Sequence, residues 1–498
     1  MTPPSSPAPP PPESPSEPSL VDRLGPDRLV LVVALVAFHG LVRVAERYLP
    51  EYLRAIGYGP IVVGLLASLG LAVAVGARLV DTSERASSRR GRHYRALFAA
   101  LLGTLGLLVW AGAPTLDALL GTPLTAIGWL LVGVVLLGLW HGWGPDEVGA
   151  LDDGGSTRSG SAGDIVTTAT SRATLESSPS ETDDEHAHGR SSGTRDRRTR
   201  TWTWIRTRTV AAALGLAGGA VLATAAFSGA ETVRAGFALL VAAGSAVGLV
   251  AAVAFGLVVT VSGTTASSPD ENGDANGDGG GPQPSSPAFP ALEDVREAAD
   301  TLPSATRWTI LGDALVRLAT AMTLPFVVLI VVEYHAVSLS TGPVSLPLTA
   351  VFAPLVLAEA VGAAAGALAA PTLGTRVDRR WLLAGGLVVP AVFPLALVAA
   401  PSNAVVLAGL FAAVGCRTAL ESTRPTGCVM THAVAGAGVR ARTAIPETLR
   451  TAIRVALVPA PLVGGVLYAI GPVAAFSLAT TVGLLGVREL LRPLRDSS

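Results

Sequence analysis

The sequence contains no lysine: all 36 of its basic residues are arginine. It has only two cysteines, Cys416 and Cys428, and charged residues make up just 15 % of it. Each shortage excludes something. Without lysine there is no Gly-x-x-x-x-Gly-Lys-Ser/Thr loop, so work driven by nucleotide hydrolysis through such a loop is not expected. Two cysteines do not imply a disulfide framework. No His/Cys cluster has the spacing of metal ligands, since His186 and His188 stand in a polar loop, so neither a metal nor another cofactor is expected. No basic stripe interleaved with aromatics occurs, which argues against nucleic acid as a partner. A soluble domain usually carries about a quarter charged residues, well above the 15 % found in this chain. Residues 1–20 are rich in Pro and Ser and lack the basic start and cleavage site of a signal peptide. The segment 1–27 is expected to be a disordered cytoplasmic tail.

What the chain has in quantity is apolar sequence, with 50 % hydrophobic residues and a mean hydropathy of +0.52. Twelve apolar runs can be drawn: 28–49, 61–80, 94–113, 124–140, 209–227, 233–261, 308–332, 346–369, 381–400, 404–420, 444–468 and 473–491. Most are long enough to cross ~30 Å of hydrocarbon as helices at ~1.5 Å per residue. They are rich in Gly, Ala and Thr, small residues that let helices approach closely in lipid.

The arginines lie on alternate connections. Arg85, Arg89, Arg90, Arg92 and Arg95 follow run 2; Arg376, Arg379 and Arg380 follow run 8; Arg424, Arg440 and Arg442 follow run 10. The segment before run 5, 195–208, holds six more. The other connections hold almost none, with Arg54 after run 1 and Arg234 after run 5. The positive-inside rule then puts both termini and the even-numbered loops in the cytoplasm, and the plasma membrane is the expected location. The loop 149–201 and the linker 262–303 are polar and are expected to be disordered. They leave a bundle over 28–261, a second over 304–492, and a tail at 493–498.

The two halves repeat. Run 1 holds His39-Gly-Leu-Val-Arg43-Val-Ala45 with Pro50 beyond it; run 7 holds Asp313-Ala-Leu-Val-Arg317-Leu-Ala319 with Pro325 beyond it. Run 5 has Leu216-Ala-Gly218-Gly219, and run 11 has Leu462-Val-Gly464-Gly465. In this organisation the chain resembles the major facilitator superfamily, along essentially its whole length. The superfamily's loop motif, Gly-x-x-x-Asp followed by a Gly and an Arg pair, has altered counterparts. These are Ala77-Arg-Leu-Val-Asp81 with Arg89-Arg90 after run 2, and Gly374-Thr-Arg-Val-Asp378-Arg379-Arg380 after run 8. The stretch from Arg307 to Arg317 is similar to archaeal members. The resemblance implies an all-α membrane protein of twelve transmembrane helices in two pseudo-symmetric six-helix bundles. It also implies alternating access around a site near the bilayer midplane. Asp81, Arg89, Arg90, Asp378, Arg379 and Arg380 would then form the cytoplasmic gate.

Charges inside spans are costly, so they are the candidate site residues. His39 and Arg43 share a helix face, as do Asp313 and Arg317. Glu46 stands three residues after Arg43; Glu46 and Arg47 are alternatively near enough to the outer interface to snorkel. Glu359 lies midway along run 8 with no partner within a turn on its own helix and suits a proton carrier. His39 is a second titratable candidate. Glu447, Arg450 and Arg454 line one side of run 11, while His141 is expected at the interface. The solute and ion pathway expected on this basis is His39, Arg43, Glu46, Asp313, Arg317, Glu359 and Arg454. An arginine-lined cavity favours an anionic or zwitterionic solute.

The function expected is secondary active transport of a small solute by a monomer, coupled to a proton or sodium gradient. The rival is a transport-inactive scaffold or sensor, favoured by the altered loop motifs. No Ser/His, His-cluster or paired-carboxylate arrangement stands out at depth, so an enzyme is not expected.

Overall fold

The computed structural model describes residues 26–83, 89–120, 126–143, 191–264, 291–337, 339–341, 344–376, 379–422 and 439–495. The first half is built from α1 (Pro26–Ala55), α2 (Pro60–Ser83), α3 (Arg89–Leu120), α4 (Ala126–Trp143), α5 (Ser191–Ser228) and α6 (Val233–Thr264). A short helix, α7 (Leu292–Asp300), precedes the second half. That half comprises α8 (Ser304–Thr323), α9 (Leu348–Arg376), α10 (Arg379–Ala399), α11 (Ala404–Ser422), α12 (Val439–Leu457), α13 (Ala460–Ile470) and α14 (Pro472–Arg495).

In lipid every backbone polar group must be satisfied within the protein, and helices do this segment by segment. Among the described residues nine helical stretches are long and apolar enough to cross a membrane. The spans completing the twelve are α1, whose apolar run is broken by Arg43, Glu46 and Arg47, and α10 and α11, whose apolar stretches Gly385–Ala399 and Ala404–Arg417 are shorter. The chain is thus a multi-pass membrane protein whose spans fall into two six-span bundles.

Proline breaks two of the expected runs, because it lacks an N–H and its ring clashes with the preceding turn. Run 7 is helical to Thr323, tightens into a 3₁₀ turn at Leu324–Phe326 around Pro325, and widens into a π-turn at Ile330–Tyr334. Run 11 is interrupted at Val458 and Pro459, which separates α12 from α13. The α8–α9 connection holds a small antiparallel hairpin, β1 (Leu339–Thr341) with β2 (Val344–Leu346).

Two polar segments expected as unstructured are partly helical. The 149–201 loop joins α5 from Ser191 onward, where no proline follows to stop the helix. The central linker carries α7, whose Val295, Ala298 and Ala299, with Leu302 just beyond, recur at helical spacing. They pack on Ile310 of α8 and Leu449 of α12. Arg307 fixes the end of this element by donating to the Leu302 carbonyl at 2.9 Å and to Asp300 at 3.0 Å. The expected tail at 1–25 and the gap 265–290 lie outside the described residues.

The halves meet reciprocally. The second span of each packs on the fifth of the other: α2 on α13, and α9 on α5. Small residues make these approaches possible. A Cβ on Gly64 of α2 would overlap the Pro461 carbonyl of α13. The repeated glycines work within each half. Gly219 of α5 sits against Gly40 and Val44 of α1, and Gly464 of α13 against Met322 of α8. The first span and the fifth therefore touch backbone to backbone in both copies, as small-residue interfaces in membranes do.

Candidate functional site

The site is built on α1. Its His39, Arg43, Glu46, Arg47, Glu51 and Arg54 follow one another at three- and four-residue spacings and so form one polar stripe on a largely apolar helix. The neighbouring faces are covered: Gly40 packs on α5, and Phe38 packs on Trp140 of α4 with ring centroids 5.0 Å apart. The stripe faces the other half, because Arg47 crosses to Glu359 of α9. Arg47 Nη2 donates to Oε1 at 2.9 Å, and Nη1 donates to Oε2 in a still closer contact. Both partners are largely buried. A two-point guanidinium–carboxylate pair is the strongest geometry available to these groups. Arg47 lies eight residues before Ala55, the end of α1, which is about 12 Å along the axis.

Glu46 points to the other side of the stripe, toward α4. His141 Nε2 faces its Oε1 at 2.5 Å. Arg78 of α2 donates to the His141 carbonyl at 3.1 Å, holding that end of α4 in place. His141 thus packs against the first span from the last turn of α4. Arg43 Nε approaches His39 Nε2 at 3.4 Å, and Arg43 Nη1 stands 3.8 Å from Glu46 Oε2. The His39 and His141 rings meet edge to face with centroids 6.3 Å apart.

On α8, Arg317 Nε donates to Asp313 Oδ2 at 2.8 Å. Asp313 is buried, whereas the Arg317 side chain is half exposed. Arg454 lies in the last turn of α12, exposed. Asp81 falls near the end of α2, Arg89 and Arg90 open α3, and Arg379 and Arg380 open α10. The side chains of these five are outside the described ones, and Asp378 lies outside the described residues altogether.

Sequence reasoning left Glu359 without a partner because its partner is in the other half of the chain. It also missed the end of the bundle that carries the α1–α2 turn. That turn closes as a Schellman motif, with Gly57 at φ 95°, its N–H on the Arg54 carbonyl at 2.9 Å, and Tyr58 N–H on Leu53 at 2.9 Å. Beside it Arg54 binds Glu51 of its own helix at 2.6 Å and Glu333 of the π-turn at 2.8 Å. Tyr48 donates to the Thr349 carbonyl of α9 at 3.1 Å, stacks on Phe227 of α5 and meets Phe352 of α9 edge-on. The Leu462 N–H of α13 donates to Ser68 Oγ of α2 at 3.0 Å. These bonds draw the two halves together at the turn end. One turn inward from Arg47, the Arg43 side chain is 52 % exposed.

No protein-family model matches the chain, and no curated protein matches it. Solved structures do match in fold. The crystal structure of the nucleoside transporter NupG aligns with a TM-score of 0.53 at 11 % identity, covering 94 % of this chain and 98 % of that one. A bacterial homologue of the human drug peptide transporters PepT1 and PepT2 aligns with a TM-score of 0.50 at 13 % identity, covering 93 % and 96 %. A POT family transporter in complex with a thioalcohol-conjugated peptide aligns equally well, covering 94 % and 96 %. The likeness spans nearly the full length of each chain, so the shared fold includes both bundles.

Proposed function

We propose that the chain is a secondary active transporter that moves a small solute by alternating access, driven by a proton or sodium gradient. The observation that carries this is the Arg47–Glu359 pair, which joins the two halves one turn from the half-exposed Arg43. A bond between bundles that rock against each other must break and re-form, and a carboxylate released in that step is able to take up a coupling ion. The structural neighbours, transporters of nucleosides and peptides, support the reading. By the positive-inside rule the turn end, where the halves are bonded together, is extracellular and both termini are cytoplasmic. The altered loop motifs around Asp81 and Asp378 would latch the cytoplasmic side in the outward-open conformer. The protein acts as a monomer in the plasma membrane.

The test is flux in proteoliposomes with and without an imposed proton or sodium gradient. Saturable, gradient-driven accumulation is expected. Flux that neither saturates nor responds to a gradient sinks the coupled-carrier reading. Absence of any flux together with a tight protein partner on pull-down favours the scaffold.

A further inference from the structure

We infer that the solute is a small anion, bound at Arg43; this rests on the transporter reading above and names its substrate class. The two halves differ at one repeated position. In the second, the residue one turn before the arginine is Asp313, and it neutralises Arg317 directly at 2.8 Å. In the first, the same place is held by His39, which touches Arg43 at 3.4 Å through an imidazole nitrogen. An imidazole carries no negative charge in either protonation state, so it cannot neutralise the arginine as a carboxylate does. The carboxylate found near Arg43 is Glu46, at 3.8 Å, and its other oxygen is held by His141 at 2.5 Å.

The other arginines of the stripe and its surroundings are committed elsewhere. Arg47 is bound at two points by Glu359, Arg54 lies between Glu51 and Glu333, and Arg78 is on the His141 carbonyl. Among the described residues of the stripe, Arg43 is the cation with least charge compensation. It is half exposed, one turn from Arg47, which crosses to the opposite half. An arginine remains charged at every accessible pH and presents a planar fork that suits carboxylate or phosphate oxygens. At 52 % exposure the charge is open to a ligand from the solvent side. A carboxylate and a phosphate ester share the chemistry that this fork recognises.

Two measurements test the inference. In the first, His39→Cys is introduced with Cys416→Ser and Cys428→Ser, and the purified protein is labelled in detergent with methanethiosulfonate reagents, one bearing a sulfonate and one a trimethylammonium group. The sulfonate reagent should react faster by at least about fivefold relative to the ratio for a free thiol, and Arg43→Gln should remove the excess. Equal rates, a cation preference, or no reaction with either reagent overturns the anion site. In the second, proteoliposomes are offered labelled inorganic phosphate, lactate and succinate, with choline and glucose as the cationic and neutral probes. Accumulation confined to an anion, lost in Arg43→Gln and in His39→Asp and partly kept in Arg43→Lys, supports the proposal. His39→Asp gives the first half the neutralised pattern of the second. Accumulation of choline or glucose overturns the anion assignment but leaves the transporter standing. Sulfonate preference without flux of any probe supports the anion site and sinks the transport reading.

Discussion

Arg47 and Glu359 are separated by 312 positions in the chain and are joined by two parallel N–H···O bonds. The pair ties the first span of one bundle to the second span of the other, so its two charges are answerable to the relative position of the halves. Taking away one partner leaves a largely buried charge uncompensated, at a cost of ~3–5 kcal/mol where the site is dry. Arg47→Ala and Glu359→Gln should each lower the apparent melting temperature in detergent, because each leaves a largely buried group without its counter-charge. The exchange Arg47→Glu with Glu359→Arg should recover part of the loss. A double exchange no better than the worse single variant would show that the two groups do not act as a pair.

Coupling offers a separate readout on the same residue. Glu359→Gln keeps the shape of the carboxylate and one of its acceptors but cannot lose a proton. Gradient-driven accumulation should disappear while expression and membrane insertion persist. Full coupling in this variant would take Glu359 out of the ion pathway.

Glycine substitutions report on helix approach. A Cβ on Gly415 of α11 would overlap the Glu359 carbonyl of α9. Gly415→Ala should therefore push these helices apart, at a cost of ~1–3 kcal/mol, and should loosen the helix that carries Glu359. Gly218 of α5 has nothing within 4 Å of its Cβ position, so Gly218→Ala should be neutral or stabilise by up to ~1 kcal/mol through lower chain entropy. Thermal denaturation of the two variants side by side makes the comparison; equal behaviour would count against the packing described.

Orientation can be read with an impermeant thiol reagent on intact cells, again with Cys416 and Cys428 replaced by serine. Gly59→Cys, in the α1–α2 turn with open space around its Cβ, should be labelled from outside. Arg89→Cys, at the start of α3, should be labelled only after permeabilisation. The reverse pattern would invert the topology, and labelling of both from one side would break it.

Much of this molecule was legible in one dimension because lipid imposes so simple a demand. Runs of apolar residues had to be helices, so the helical bundle followed from them. Local pairs were legible too: Asp313 and Arg317 are one turn apart, and turn spacing alone brings them together. What was not legible depended on depth and on distance along the chain. His141 sits two residues from the end of the described α4, and its contact with Glu46, 95 positions away in the chain, has no signal in local spacing. Glu359 read as solitary because its own helix offers no cation, whereas its partner arrives from the far half. The helix at Leu292–Asp300 was hidden by a polar setting, since its buried stripe is largely alanine, which gives a weak hydropathy signal.

The π-turn at Ile330–Tyr334 belongs to the second bundle, and it brings Glu333 to Arg54. Such a turn closes on the fifth residue instead of the fourth, as the His335 N–H does on the Ile330 carbonyl at 2.9 Å. Deleting one valine there would restore ordinary winding and swing the carboxylate about 100° around the axis. The bond from Glu333 to Arg54 thus depends on one extra residue in the winding of the second half.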